Sequence, residues 1–191
     1  MRFLLLGDIH CYGHCVFDAI KKTGAPLDAV VGTGDLTNTG GQIEVESVVG
    51  AVNSGLESIG CKGAPYITCM GNHEFGNKTH SDEENAAYVA RFEQYIGQKA
   101  TQEYEINGIK FLALSPSNHS GNYTEATTFA MEKLRSYDKE KPIFVLQHYP
   151  FINTVYGSAG TSKGDILQQT VSRYTNIIDL SGHSHAPITN L

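Results

Sequence analysis

The segment DAVVGTGD, residues 28–35, places a short apolar run directly before two glycines and a carboxylate. A continuous apolar run of about four to eight residues, bounded by turn-forming residues, is typical of a buried strand. We therefore predict a strand over Asp28–Gly32, with Asp35 just beyond its carboxyl end. The same order of strand, turn and polar side chain recurs along the chain, and the predicted fold and site both depend on it.

Four further predicted strands end in the same way. The carboxyl ends of parallel strands in an α/β sheet open on to one crevice, so residues far apart in the sequence meet there. We therefore expect the side chains after these strands to form one site. They are Asp8 and His10 after Arg2–Leu6, Asn72, His73 and Glu74 after Pro65–Met70, His148 after Ile143–Gln147, and His183 and His185 after Ile177–Leu180.

Segments with helical spacing of apolar residues separate most of these strands. The best hairpin signal is Asn107-Gly108, between predicted strands at Glu103–Ile106 and Lys110–Leu114. This alternation predicts an α/β fold with a largely parallel sheet and one inserted antiparallel pair. Because neither a linker nor a repeat interrupts it, residues 1–191 are predicted to form a single domain. The predicted helices are Val16–Lys22, Ile43–Ile59, Asp82–Ile96, Glu125–Tyr137 and Asp165–Tyr174, with a loop at Gly157–Gly164.

The charge balance limits the kinds of partner. The chain of 191 residues has 14 basic and 20 acidic side chains, and its formal net charge is −6. Nucleic acids and anionic membranes select surfaces rich in Lys and Arg, so both are disfavoured as partners. No apolar stretch has the length of a membrane span. The apolar run within residues 1–10 is too short for a signal peptide, and we therefore expect a cytoplasmic protein.

Cysteines and the remaining histidines are not assigned to the predicted site. The cysteines form no C-x-x-C pair, so a zinc ribbon or thioredoxin-like motif is not supported, and we expect them to be small buried residues. We favour surface positions for the other histidines, with contact to the site or the substrate as the alternative. These residues are Cys11, Cys15, Cys61, Cys69, His14, His80 and His119.

The residue types at the predicted site indicate a metal centre. Two Asp, one Asn and four or five His, with no thiolate, suit Mn, Fe, Zn, Ni or Co ions. Seven ligands are too many for one tetrahedral zinc, but they suit two ions that share a carboxylate. Two such ions promote in-line attack on phosphorus by a bridging water acidified to hydroxide. A site of this kind requires no basic surface, which agrees with the acidic composition.

Five short motifs in this order resemble the calcineurin-like metallophosphoesterase superfamily. They are D-x-H at Asp8–His10, G-D at Gly34-Asp35, G-N-H-E at residues 71–74, a lone histidine at His148, and G-H-x-H at residues 182–185. The resemblance spans residues 8–185. It implies a β-sandwich flanked by helices, two divalent metal ions, with Mn or Fe preferred over Zn, Ni or Co, and phosphoesterase activity.

The resemblance also implies a role for each matching residue. Asp8, His10 and His185 would hold one ion. Asn72, His148 and His183 would hold the other, and Asp35 would bridge the two. His73 would be the catalytic general acid or a phosphate contact, and Glu74 would orient His73 or nearby backbone.

The chain departs from the family pattern in two places. Residues 34–40 read GDLTNTG where protein phosphatases of the superfamily have G-D-x-x-D-R-G, so the phosphodiesterase and small-molecule phosphatase branches are favoured. Relatives also usually continue beyond G-H-x-H with strands of a second sheet, and few residues follow His185 here. We therefore expect either a reduced second sheet or a chain that is a fragment of a longer protein.

The predicted function is dinuclear-metal-dependent hydrolysis of a small phosphodiester or phosphomonoester. One alternative is a catalytically silent, metal-containing scaffold for protein interactions, which is disfavoured because every ligand position is filled. The other alternative is a metal-dependent nuclease. This activity requires a local basic groove, and no basic cluster larger than that at Lys139–Lys141 occurs in the sequence.

Overall fold

The computed structural model describes residues 1–24, 26–76, 78–158 and 165–185. Within these ranges, strands and helices alternate as the sequence predicts, and a short 3-10 helix covers His73–Phe75. The strands are β1 Phe3–Leu6, β2 Ala29–Gly32, β3 Tyr66–Thr68, β4 Gln102–Ile106, β5 Ile109–Ala113, β6 Ile143–Leu146 and β7 Ile177–Leu180. The helices are α1 Gly13–Lys22, α2 Gln42–Ser58, α3 Asp82–Ile96, α4 Thr124–Leu134 and α5 Asp165–Val171.

The strands form two sheets rather than the one sheet that periodicity suggests. The first sheet has the order β1-β2-β3 and is parallel throughout. The second has the order β4-β5-β6-β7, in which β4 is antiparallel to β5 and the other neighbours are parallel. Local periodicity assigns a segment to a strand but does not specify its neighbour. The hairpin therefore begins a new sheet instead of extending the first one.

The two sheets pack face to face around an apolar layer. Val31 and Ile67 of the first sheet and Phe111 and Leu146 of the second are fully buried in this layer. The rings of Phe111 and Phe144 stack with centroids 5.0 Å apart. Burying each such side chain contributes about 1.5–3 kcal/mol, so this layer holds the two sheets together.

Helices cover the outer face of each sheet. Alternate residues of β2 point to opposite faces, so Val30 packs with Ile20 and Val48 of the helices while its neighbour Val31 faces the other sheet. On the far side, Val145 of β6 packs with Leu134 of α4. The β-sandwich flanked by helices is therefore confirmed.

The boundaries of the elements agree closely with the prediction where capping signals are strong. Helix α3 begins after Ser81, whose hydroxyl accepts from Glu84 N at 3.3 Å while Glu84 Oε2 accepts from Ser81 N at 2.9 Å. Helix α4 ends at Leu134, earlier than predicted, and Ser136 Oγ donates to the carbonyl of Lys133 at 2.8 Å. The predicted loop at Gly157–Gly164 lies mostly outside the described residues.

The second sheet contains more strands than the first. It contains four strands within residues 102–180, and the first sheet contains three. The expectation of a second sheet reduced relative to that of the relatives stays a prediction. In the same ranges, none of the helices combines the length and apolar character that crossing a bilayer requires.

Candidate metal centre

The loops that follow β1, β2, β3, β6 and β7 converge at one end of the sandwich. The loops after β1 and β2 stay joined beyond their strands, because His10 N donates to the carbonyl of Asp35 at 3.0 Å. The loop after β7 joins the loop after β6, because Gly182 N donates to the carbonyl of His148 at 3.0 Å. Both sheets thus deliver side chains to one place, and all seven predicted ligands meet there.

The first group of side chains consists of Asp8, His10 and His185. His185 Nε2 lies 3.2 Å from Asp8 Oδ1 and 3.3 Å from His10 Nε2. The Asp8 carboxylate also accepts from the backbone N–H of His183, at 3.0 Å for each oxygen. Asp8 therefore joins the loop after β1 to the loop after β7, although these loops are far apart in the sequence.

The second group surrounds His148, which is fully buried. Its Nε2 lies 3.0 Å from Asn72 Oδ1 and 3.1 Å from His183 Nδ1. Its Nδ1 lies 2.9 Å from the carbonyl oxygen of Thr33. A carbonyl only accepts, so Nδ1 carries a proton, and Nε2 is the nitrogen that faces the other two atoms. A cation bound between these atoms would be ligated by all three side chains.

Asp35 lies between the two groups. Its Oδ2 is 3.2 Å from His148 Nε2 and 3.9 Å from His10 Nε2. Its Oδ1 accepts from the backbone N–H of His73 at 2.9 Å, which orients the carboxylate. One oxygen atom of a buried carboxylate therefore faces both groups of ligand atoms.

The protonation states at the site suit metal ligation. Burial and the charge on His148 lower the pKa of His183 to about 4. Burial also lowers the pKa of His10. Burial works to raise the pKa of Asp35, but the hydrogen bond and charge of His148 outweigh it, and the net shift is downward. Burial works to lower the pKa of His148, but the hydrogen bond and charge of Asp35 outweigh it and raise this pKa, so an ion bound at Nε2 would displace a proton there. The shifts of His183, His10 and Asp35 favour neutral imidazoles and an ionised carboxylate, the forms that bind divalent ions, so this donor set fits such ions.

The backbone at the site has unusual conformations. Of the eight non-glycine residues with positive φ in the described chain, five are predicted ligands. Such conformations cost about 1–3 kcal/mol each and persist where the surrounding structure imposes them. Their concentration at one site indicates that side-chain placement takes precedence over local backbone preference there. The five are Asp8 at 51°, His10 at 46°, Asp35 at 51°, His183 at 68° and His185 at 47°.

Gly71 allows the loop after β3 to approach the other loops. A β-carbon at this position would collide with the carboxylate of Asp35 and would lie 2.8 Å from Cγ of His148. Both neighbours are held by several hydrogen bonds and are not free to move away. Residue 71 must therefore be glycine for Asn72 to reach His148.

Glu74 contacts backbone rather than the His73 ring. Its buried carboxylate accepts from the N–H groups of Gly71, Asp35 and Thr37 at 2.7, 2.9 and 3.0 Å, and from the Thr37 hydroxyl at 3.0 Å. Burial and the nearby charge of Asp35 raise the pKa of Glu74, and the N–H donors oppose this shift. Of the two predicted roles, orienting backbone is the one that these contacts match.

The ring of His73 lies at the edge of the site. Its centroid is 4.5 Å from that of His10, and its Nδ1 is 3.0 Å from the carbonyl oxygen of Asn38. The side chain of Asn38 also donates to the carbonyl of His10 at 3.3 Å. His73 therefore lies beside the ligand groups, with Nδ1 committed to the backbone.

The sequence prediction missed several residues that support the site. The hydroxyl of Tyr123 accepts from the backbone N–H of His148 at 3.2 Å, and the ring centroid of Tyr149 lies 4.4 Å from that of His183. His119 also reaches the site, because its Nδ1 lies 3.4 Å from the carbonyl oxygen of Asn72. For Tyr149, its place directly after His148 was the available signal. Contact with the site was the alternative given for His119, and Tyr123 had no comparable signal.

Two other histidines and one cysteine are placed elsewhere. His14 Nε2 lies 3.3 Å from Cys15 Sγ, and His80 Nε2 lies 2.8 Å from the carbonyl oxygen of Phe75. Cys15 is exposed, so the expectation of buried cysteines is wrong for this residue, whereas Cys69 is buried.

Comparisons with known proteins show the family to which the chain belongs. The family model described as calcineurin-like phosphoesterase matches residues 1–187. The structure resembles the crystal structure of a dimetal phosphatase from Danio rerio with a TM-score of 0.67 and 13% sequence identity, over 96% of this chain and 81% of that chain. At this identity, the likeness shows a shared fold. No curated protein matches the sequence. The chain therefore belongs to the calcineurin-like phosphoesterase family and is a metal-dependent phosphoesterase.

Proposed function

We propose that this chain hydrolyses a small phosphodiester or phosphomonoester at two divalent metal ions. The observation that carries the proposal is the position of Asp35 Oδ2, which lies between His148 Nε2 at 3.2 Å and His10 Nε2 at 3.9 Å. A carboxylate oxygen shared by two groups of ligand atoms is the arrangement that two neighbouring ions require.

The two groups of ligand atoms support an assignment for each ion. Asp8, His10 and His185 hold one ion, and Asn72, His148 and His183 hold the other. Asp35 is a ligand to both. We favour Mn or Fe, with Zn, Ni or Co as alternatives, because histidine nitrogens are mixed with carboxylate and amide oxygens and no thiolate is present.

The residues of the chain then divide the remaining tasks of the reaction. Bound ions supply an acidified water and neutralise charge on the phosphoryl oxygens. His73 donates a proton to the leaving oxygen as general acid. The contact of its Nδ1 with the Asn38 carbonyl leaves Nε2 as the nitrogen that exchanges a proton with the substrate. The hydrogen bonds of Glu74 hold the loops after β2 and β3 together.

The acidic composition supports a small substrate. With 20 acidic and 14 basic residues, the chain has little to attract a polyanion, so a compact phosphoester suits it better than a nucleic acid. The cytoplasmic location stays a prediction, which cell fractionation would test.

The proposal is tested on metal-stripped protein reloaded separately with Mn²⁺, Fe²⁺, Zn²⁺ or Ni²⁺. We expect two equivalents to bind and at least one metal to support hydrolysis of bis-p-nitrophenyl phosphate or p-nitrophenyl phosphate. Binding of two equivalents without turnover on either ester would instead favour the scaffold.

Asp35→Asn tests the shared carboxylate. We expect it to reduce both metal stoichiometry and kcat, because one ligand charge disappears between the two ions. Asp28→Asn is the matched control at the opposite end of the same strand, where Asp28 accepts from Arg2 N and Asn107 Nδ2. An Asp35→Asn protein with unchanged metal content and rate would show that the bridging assignment is wrong.

A further inference from the structure

The loop at residues 116–122, which follows β5, brings a histidine to the metal centre that none of the motifs contains. His119 is half-buried, and its Nδ1 lies 3.4 Å from the main-chain carbonyl oxygen of Asn72. Because that oxygen only accepts, Nδ1 carries the proton in this contact. The other ring nitrogen, Nε2, has no hydrogen-bond partner among the described residues. His119 therefore presents one free nitrogen beside the site.

The loop that carries His119 is held firmly in place. The Tyr149 hydroxyl donates to the carbonyl of His119 at 2.6 Å. Within the loop, Ser117 N donates to the carbonyl of Asn122 at 2.8 Å, and Asn118 Oδ1 accepts from Asn122 N at 3.1 Å. A side chain on such a fixed loop keeps its position before a ligand arrives, which favours binding.

Tyr149 connects this loop to the second group of ligands. Only 3% of the residue is exposed, and its ring centroid lies 4.4 Å from that of His183 and 5.2 Å from that of His148. One end of the side chain therefore packs on metal ligands while the hydroxyl fixes the backbone of His119.

His119 lies just outside the ligand set. It contacts the main-chain carbonyl of Asn72, whereas Asn72 Oδ1 faces His148. His73 lies on another side of Asn72, with its ring against His10 of the first group. The two histidines thus flank the site at different places, one beside each group. With His73 assigned to the leaving oxygen, His119 is placed for a different part of the substrate.

We propose that His119 is a specificity-determining residue whose Nε2 contacts the ester substituent that stays on phosphorus during hydrolysis of a phosphodiester. Tyr149 acts as a positioning residue for it. This inference rests on the proposed hydrolysis at the two-metal centre. A neutral imidazole accepts through Nε2 from a hydroxyl of the substituent, and a protonated one donates to the ester oxygen. A phosphomonoester has no second substituent and gains nothing from this contact.

The test compares a diester with a monoester in the metal-loaded enzyme. For His119→Ala, we expect KM for the p-nitrophenyl ester of thymidine 5′-monophosphate, a diester whose retained nucleoside carries a hydroxyl, to rise about tenfold, the effect of one lost hydrogen bond, with kcat little changed. The constants for p-nitrophenyl phosphate should stay within about twofold of wild type. His119→Gln, whose amide can replace Nε2, should recover part of the loss. An unchanged diester KM, or an equal loss on both esters, would overturn the proposal.

A second measurement avoids turnover altogether. Calorimetry on the metal-loaded proteins should show that His119→Ala binds the thymidine 5′-ester of methylphosphonic acid, an uncleaved analogue that keeps the retained substituent, several-fold more weakly than wild type does. Inorganic phosphate should bind as tightly as it does to wild type. Equal weakening of both ligands would assign His119 a structural role through Asn72 and contradict the proposal.

Tyr149→Phe keeps the ring packed on His183 and removes only the hydrogen bond to the loop. We expect it to raise the diester KM less than His119→Ala does. Adding Tyr149→Phe to His119→Ala should not change the ratio of diester to monoester hydrolysis any further. Additive effects would contradict the positioning role of Tyr149.

His14→Ala is the control for these variants, since His14 is exposed and contacts Cys15. If wild type hydrolyses neither ester with any metal, the proposed function fails. If wild type hydrolyses them and His119→Ala has the same constants as wild type, only this inference is rejected.

Discussion

At the scale of the residue, backbone carbonyls decide which nitrogen each imidazole presents. Nδ1 of His148 lies 2.9 Å from the carbonyl oxygen of Thr33, and Nδ1 of His73 lies 3.0 Å from that of Asn38. Since a carbonyl requires a donor, both rings hold their proton on Nδ1 and expose Nε2. The chain therefore selects the tautomer before an ion or a substrate binds, and the two histidines differ in what their Nε2 faces.

Replacing His73 by Ala should separate proton donation from metal binding. We expect kcat for an alkyl phosphoester to fall about 10²–10⁴-fold, the usual contribution of a general acid. The loss should be much smaller for p-nitrophenyl phosphate, because p-nitrophenolate leaves without protonation. Steady-state kinetics on the two substrates, with metal content measured in parallel, checks this. Equal losses on both substrates would assign His73 to phosphate binding instead.

At the scale of the element, the 3-10 helix at His73–Phe75 turns Glu74 back towards the loop after β2. The carboxylate of Glu74 accepts from backbone N–H groups of Asp35 and Gly71, which belong to loops after different strands. Neither the helical turn nor this connection has a periodic signal in the sequence. The motif G-N-H-E indicates which residues matter, but only the folded loops show that its glutamate joins two of them.

Glu74→Gln should weaken this connection between the loops. An amide nitrogen cannot accept, so at least one pair of donors around the buried side chain loses its partner. We expect the free energy of unfolding to fall by about 2–4 kcal/mol, measured by urea denaturation. Glu46→Gln is the control, because Glu46 is exposed on α2 and accepts only from Gln42 at 3.1 Å. Its effect should stay within about 0.5 kcal/mol. Similar losses in both variants would contradict the role of Glu74.

Strand β7 contains a carboxyl group whose titration should appear in the stability. Burial raises the pKa of Asp179 to about 7, although Gln147 Nε2 donates to it at 3.2 Å. In the unfolded chain this group titrates near its usual value of about 3.9. Between about pH 4 and pH 7, the folded state binds a proton that the unfolded state lacks. The contribution of Asp179 to stability therefore falls as pH rises through this window, and the full cost of burying the charge is present above pH 7.

Asp179→Asn should remove this pH dependence. We expect the variant to be more stable than wild type at pH 8, by up to about 4 kcal/mol, and to lose that advantage near pH 4. Urea denaturation at several pH values gives the free energy of unfolding of each metal-free protein. The titration of the site histidines is the same in both proteins, so it cancels when the two free energies are subtracted. A difference that does not change with pH would contradict the assignment.

At the scale of the whole molecule, the metal centre joins the two sheets. Four predicted ligands follow strands of the first sheet, namely Asp8, His10, Asp35 and Asn72, and three follow strands of the second, namely His148, His183 and His185. The apolar layer between the sheets holds the sandwich together along its length. Bound ions would connect the loops at one end of the sandwich, where five ligands have positive φ.

Metal removal should therefore lower thermal stability. An ion at about 100 times its dissociation constant adds about 2.7 kcal/mol, which corresponds to roughly 5–10 °C in Tm for a chain of this size. We expect chelation to lower Tm by at least this amount and Mn²⁺ to restore it, as followed by circular dichroism. Asp35→Asn should show a smaller response and His14→Ala an unchanged one. A Tm that chelation does not change would contradict the conclusion that bound ions join the two sheets.

The sequence by itself determined the order of the strands and helices and the residue types of the site, because both are local properties. A buried strand followed by a turn and a polar residue is visible in residues 28–35, and the capped helix at Asp82–Ile96 was predicted with the observed bounds. The motif resemblance already implied two sheets, but the tertiary structure alone decided that β1–β3 form one of them and β4–β7 the other. It also decided between the two alternatives for His119, brought Tyr149 to the site, and showed that Glu74 joins two loops. These depend on which distant segments pack together, and no periodicity along the chain encodes that choice.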